Sequence, residues 1–296
     1  MADPLIDLDD LTAPLPGDDP AGDAIGSAYF ADKEALEKFR LEVTPEEAGP
    51  DNPVRPPDWA KVRRTAVDVL SRKSKDLLVA ARLTEALTHE AGFRGLADGL
   101  TLLRRMVADD ALWAVVHPVV DDGDWEVRAG PFNWMGDNRG PQFPSTVRAV
   151  ELLKGEDRGY GWQDWKNASE GKGAVTTEMV NKAIADTPRA DVEAAVAELD
   201  RAQEAFRDLS AKLDARLGGV SPPMSDLKAA LTDCANLAKQ VLAQKGGGTA
   251  DAPAAAAAAN GTANGVPAAG GAMVAAGPIT IDAIPVLRRH LYATLE

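Results

Sequence analysis

Between Asp58 and His117 the apolar residues recur every three to four positions, and the interruptions fall where helices end, which restricts this stretch to packed α-helices. Asp58 can cap a helix whose inner face is Trp59, Val62, Ala66 and Val69. Ser74-Lys75-Asp76 reads as the capping turn of a second helix, whose face carries Ala80, Leu83 and Leu87. Gly92 is placed to end that helix in the left-handed conformation that a β-carbon disfavours. Leu96, Leu100, Leu103 and Val107 define a third, and Pro118 stops the segment after Trp113 and His117. No strand precedes Gly92, Gly95 and Gly99, so they read as close helix packing rather than a nucleotide loop.

The flanks follow the same logic. Residues before Phe30 are rich in Asp, Pro and Gly and read as an extended arm pinned by Leu5, Ile6, Leu8 and Leu11. Ala31, Ala35, Phe39 and Val43 predict the first helix, ended before the proline-rich loop of residues 45–57. From Ala129 to Pro144 the Gly and Pro density predicts an irregular segment, packed on the helices through Phe132, Trp134, Met135 and Phe143. A short apolar element spans Val147 to Leu153, and Thr177 to Ala185 reads as a short helix. Pro188 then opens the longest helix, where Val192, Leu199, Phe206 and Leu213 recur every seven residues, with Ala195, Ala202 and Leu209 three positions on. Gly218-Gly219 and Pro222-Pro223 break it, and the stripe Leu227, Leu231, Cys234, Ala238 and Val241 returns, predicting an antiparallel hairpin. Its seam reads as intramolecular packing, with a homo-oligomer contact as the alternative. Lys245 to Gly277 is Gly, Ala, Pro, Asn and Thr with almost nothing to bury, the composition of a flexible linker, and Leu287, Leu291 and Leu295 give one more short stripe.

A chain of 296 residues with 45% hydrophobic content can bury a sizeable core. Its formal net charge of −14 argues against nucleic acid or an anionic membrane surface as the main partner, since both require basic patches. The single cysteine, Cys234, excludes an internal disulfide and multi-cysteine zinc sites. The N-terminus lacks a basic region followed by an apolar run, and no window approaches the roughly 20 apolar residues that span a bilayer, so a cytoplasmic protein without direct membrane insertion is expected.

His117 beside Asp121, Asp122 and Asp124 is the cluster that most resembles a metal or acid–base site. A helix end, a turn and a cap account for the same residues, and the partners of a hydrolytic or calcium site are absent at the required spacing. A metal-dependent hydrolase using His117 and the neighbouring aspartates stands as the alternative. Ser74 and Lys75 do not read as a nucleophile pair, because adjacent helical side chains diverge. No catalytic, cofactor-binding or metal residue is assigned. Trp59 and Trp113 fall on apolar stripes and read as core. Trp125, Trp134, Trp162 and Trp165 lie in polar, irregular surroundings, as core caps or as binding hot spots; Trp125 and Trp134, beside the acidic turn, are the first candidates for a partner-binding surface.

The order of Asp58-Trp59, Ser74-Lys75-Asp76-Leu77, Gly92 to Leu96, Trp113, His117-Pro118, the acidic turn with Asp121 and Asp124, and Arg128 resembles the ImpA N-terminal domain family of bacterial type VI secretion TssA proteins. Pro14 with Gly17 to Asp23 resembles the family's opening segment, and Tyr160 to Trp165 with Pro222 to Leu227 its middle region. The resemblance implies a mainly α fold with a helical N-terminal domain (1–155), a helical hairpin region (156–245), a disordered linker (246–276) and a short C-terminal helical segment (277–296). It gives Asp58, Trp59, Lys75, Asp76, Gly92, Gly95, Trp113, His117, Pro118, Asp121, Asp124 and Arg128 structural roles. It implies a non-enzymatic assembly component without cofactors, working in the cytoplasm on baseplate, sheath or tube proteins. In full-length relatives the region beyond this sequence's last residue carries ring assembly. A truncated partner-binding module without a ring is therefore a further reading.

Overall fold

Asp58 accepts a hydrogen bond from the Lys61 amide at 3.0 Å and starts α3 (Trp59–Arg72), which buries Val62, Ala66, Val69 and Leu70. The Asp76 carboxylate then accepts from the Leu78 and Val79 amides and starts α4 (Leu77–Ala108). At Gly92 (φ 59°, ψ −136°) α4 leaves the helical conformation and turns back on itself. A β-carbon at Gly95 would lie 1.9 Å from the Leu87 carbonyl oxygen, and one at Gly99 2.6 Å from the Thr84 side chain. Those pairs could not meet along a straight helix, where each residue adds about 1.5 Å. The two halves of α4 are thus an antiparallel pair, pressed together at the glycines.

The computed structural model describes residues 3–26, 29–50, 52–136 and 143–246, all within the unit Met1–Thr249. Beyond Gly246, the expected linker and the C-terminal segment 277–296 lie outside the described residues. Among the described residues there is no β-strand, only isolated bridges, and no helix is long and apolar enough to cross a membrane.

The remaining helices wrap this central pair. α1 (Leu8–Thr12), capped by Asp7, and α2 (Phe30–Arg40) pack on α3, while α5 (Asp110–Val115) follows α4 directly, with Asp109 capping its first turn. α10 (Arg189–Leu217), opened by Pro188, runs in the same direction as the second half of α4. Arg201 reaches Asp98 at 2.8 Å, and Arg216 reaches the Val107 carbonyl at 2.6 Å. A 3-10 turn (Gly218–Val220) leads into α11 (Ser225–Gly246), which returns antiparallel to α10, with Lys239 paired to Asp200 at 2.7 Å. The heptad residues Val192, Leu199, Ala202, Phe206, Leu209 and Leu213 are buried within this chain, between α4 and α11.

Four local expectations are corrected. The N-terminal arm is not wholly extended, since Asp7 nucleates α1; Ile6, Leu8 and Leu11 are buried, but Leu5 is exposed. α2 turns Leu36 inward rather than Ala31, because Leu offers the larger apolar area. Residues read as irregular between Ala129 and Pro144 belong largely to α6 (Glu126–Gly136) and α7 (Phe143–Ala149). Pro131 sits inside α6, where it costs about 3 kcal/mol. Burying Phe132 and Met135 on the same helix, at about 1.5–3 kcal/mol each, offsets that cost. Trp162 and Trp165, read as lying in irregular surroundings, lie on α8 (Trp162–Ser169), against which α9 (Thr177–Asp186) packs.

Candidate functional site

Lys75, Asp76 and His117 come together where the end of α3, the start of α4 and the end of α5 meet the N-terminal arm, whereas Asp58, Trp59, Gly92 and Gly95 lie at the other ends of α3 and of the first half of α4. Lys75 is fully buried, and its ammonium donates to the carbonyls of Leu70 (2.6 Å), Leu11 (3.0 Å) and Asp10 (3.2 Å). Burial lowers its pKa from 10.5 to about 8, opposed by the charge of Asp10. Ser74 is buried beside it with no hydrogen-bond partner for Oγ among the described residues, so the two side chains make no nucleophile pair. Burial pushes the Asp76 carboxyl up, against the Val79 and Leu78 amides and the charge of His117, which hold it down.

His117 joins the same knot. Its amide donates to the Lys75 carbonyl at 2.9 Å, and its own carbonyl accepts from the Leu77 amide at 3.0 Å. Ring atom Nε2 lies 2.6 Å from the Gly22 carbonyl oxygen, so it carries the proton and donates. A ring nitrogen committed in this way is not presented to a metal. Asp121, Asp122 and Asp124 instead lie exposed in the following turn, where Asp122 (φ 49°) and Gly123 (φ 79°) reverse the chain. Among the described residues no three His, Cys, Asp or Glu side chains come together as a metal ligand set.

Arg128 closes this turn from within. It is buried and donates to the carbonyls of Pro118 (2.9 Å), Val116 (2.8 Å) and Trp113. Its guanidinium lies 4.6 Å from the centre of the Trp113 ring and 5.7 Å from that of Trp125. Burial, reinforced by Arg216, lowers its pKa to about 10. The two indoles are nearly parallel, 8° apart with centres separated by 6.4 Å. Trp113 is buried, as expected, and Trp59 is half-buried against the face of His89, 3.9 Å between ring centres.

The two candidate surface tryptophans differ. Trp125 is 40% exposed at the start of the acidic turn's exit. Trp134 is half-buried on α6, with the Arg82 guanidinium 4.4 Å above its ring and Phe143 edge-on at 5.5 Å. Arg82 and Arg40 there share Glu37 and Glu85 in a partly buried ion network. Sequence reasoning did not single out Asp98, fully buried on α4, whose carboxylate accepts from the Leu5 amide at 2.7 Å and pairs with Arg201. A carboxylate placed inside the stripe Leu96, Leu100 and Leu103 was the available signal.

Three comparisons bear on this arrangement. A family model described as ImpA, N-terminal, type VI secretion system matches residues 12–137, the segment that holds Lys75, Asp76, His117 and Arg128. The type VI secretion system component TssA1 of Pseudomonas aeruginosa is 28% identical over 222 residues, covering 72% of this chain and 62% of that protein. The chain thus spans less than two thirds of that relative's length. In fold it is similar to the N-terminal domain, including the conserved ImpA_N region, of the TssA component from Burkholderia cenocepacia, with a TM-score of 0.70 at 24% identity over 81% of this chain and 95% of that one. Lys75, His117 and Arg128, the internal ties of this helical domain, all lie in the segment that matches the ImpA N-terminal model of type VI secretion, and over 72% of its length the chain is similar to the TssA1 component of such a system.

Proposed function

We propose that this chain is a non-enzymatic assembly component of a type VI secretion system, acting in the cytoplasm by binding baseplate, sheath or tube proteins during tail assembly. The observation that carries the reading is the use to which the motif residues are put. Lys75, His117 and Arg128, the groups best suited to chemistry, are consumed by backbone carbonyls inside the fold. What remains outward at the motif region is the turn bearing Trp125, with apolar area and acidic flanks suited to a protein contact.

Deletion in the encoding cell, followed by complementation, tests this reading. Sheath assembly followed by fluorescence and export of the tube protein should both fail without the chain and return with it. Normal assembly and export in the deletion strain would overturn the assignment.

A further inference from the structure

Val119, Trp125 and Val127 are 54%, 40% and 37% exposed and lie within nine consecutive residues. Between and beside them stand Asp121, Asp122, Asp124 and Glu126, all exposed, with no Lys or Arg in residues 119–127. None of these four carboxylates forms an ion pair with another described residue. The cations nearest the Trp113–Trp125 pair are already engaged: Arg128 by three carbonyls, and Arg216 by the Val107 and Ala108 carbonyls and Asp110. The face therefore combines uncovered apolar area with negative charge that no described residue pairs. By contrast, exposed Phe30 stands near Asp32 and Lys33, and exposed Leu41 between Arg40 and Glu42.

The face is also held in place before any partner arrives. The Trp125 amide donates to the Gly123 carbonyl, the Arg128 amide to that of Trp125, and the indole lies against Trp113 and Arg128. An aromatic anchor whose position is fixed from below loses little freedom on binding, which is how a small surface comes to dominate an interface.

We infer that this face docks a basic protein segment, in which lysine or arginine side chains flank an apolar side chain seated on the Trp125 indole. The inference rests on the assembly reading above and specifies the chemistry of its partner. The carboxylates would meet the flanking cations and set orientation and association rate, while the Trp125, Val119 and Val127 surface supplies apolar burial.

The test is calorimetric titration of the full chain with an amphipathic helical peptide of Lys and Leu, about 20 residues long, beside Glu/Leu and Ser/Leu counterparts. The Lys/Leu peptide should bind, and the other two should bind at least about tenfold more weakly. Asp121→Asn/Asp122→Asn/Asp124→Asn, in which Asn tolerates the positive φ of residue 122, should weaken the Lys/Leu peptide about tenfold, as should Trp125→Ala. Neutralising three exposed acids elsewhere, Glu34→Gln/Glu42→Gln/Glu46→Gln, should change it by no more than about twofold. An equal loss in that control, or no loss in the turn variants, would overturn the docking face. Trp125-dependent binding of the Ser/Leu or Glu/Leu peptide with equal strength would overturn the basic partner alone. The assembly reading is judged separately by the deletion strain.

Discussion

The Arg128 guanidinium stacks on the ring of Trp113 and at the same time donates to the Trp113 carbonyl, so a single buried cation ties the end of α5 to the start of α6. Its other two donors go to Val116 and Pro118, which fixes the path of the chain on both sides of His117. An apolar side chain of similar size could fill the space but could not satisfy those carbonyls. Arg128→Met should therefore destabilise the protein by about 3 kcal/mol, read as a lower urea midpoint. Arg128→Lys should recover only part of it, because one ammonium cannot reproduce the planar fork. A variant as stable as the parent would refute the tie.

Lys75 makes a pH-dependent prediction. Its folded pKa of about 8 lies below the ordinary 10.5, so between those values the unfolded chain binds more protons than the folded one. The contribution of this group to stability is therefore least favourable below pH 8 and improves as pH rises from about 8 towards 10.5. The stability of the parent relative to Lys75→Met, followed by urea titration, should rise across that window and stay level between pH 6 and about 7.5. A difference that falls with rising pH would contradict the burial of this ammonium.

Trp134 and Trp125 should separate cleanly in stability. Trp134 is clasped by Arg82, Arg40 and Phe143, so Trp134→Ala should lower stability by about 2–3 kcal/mol. Trp125 is far more open, and Trp125→Ala should cost no more than about 1 kcal/mol. Thermal unfolding of both variants checks the order, and a reversal would exchange their roles.

A fragment of residues 1–155 should not unfold cooperatively. It lacks α10, which covers much of the surface of α4, and it leaves buried Asp98 without Arg201. Dye binding to exposed apolar surface and loss of a sharp thermal transition are the expected readouts. A sharp, parent-like transition would show that the N-terminal region is self-sufficient.

How far the fold could be read ahead depends on how local its causes are. Asp58 and Asp76 cap helices through amides two or three residues away, and Gly92 breaks α4 through its own backbone angle, so all three were legible from neighbouring residues. The seam from Val192 to Leu213 and the returning stripe through Cys234 were legible for the same reason, since periodicity marks the buried face of a helix. The helix through Pro131 was not, because its stability comes from what Phe132 and Met135 pack against rather than from the preferences of its own residues.

The sequence by itself determined which segments become helices, where most of them stop, and that the acidic turn after Pro118 lies outside them, because caps, glycine angles and apolar spacing act over a few residues. Only the tertiary structure decided what Lys75, His117 and Arg128 are for. Lys75 finds Leu11 across 64 residues and His117 finds Gly22 across 95, and in each case the acceptor is a main-chain carbonyl. Every residue carries such a carbonyl, so no side-chain pattern announces the partner; it is selected when burial removes water and leaves that oxygen as the group within reach.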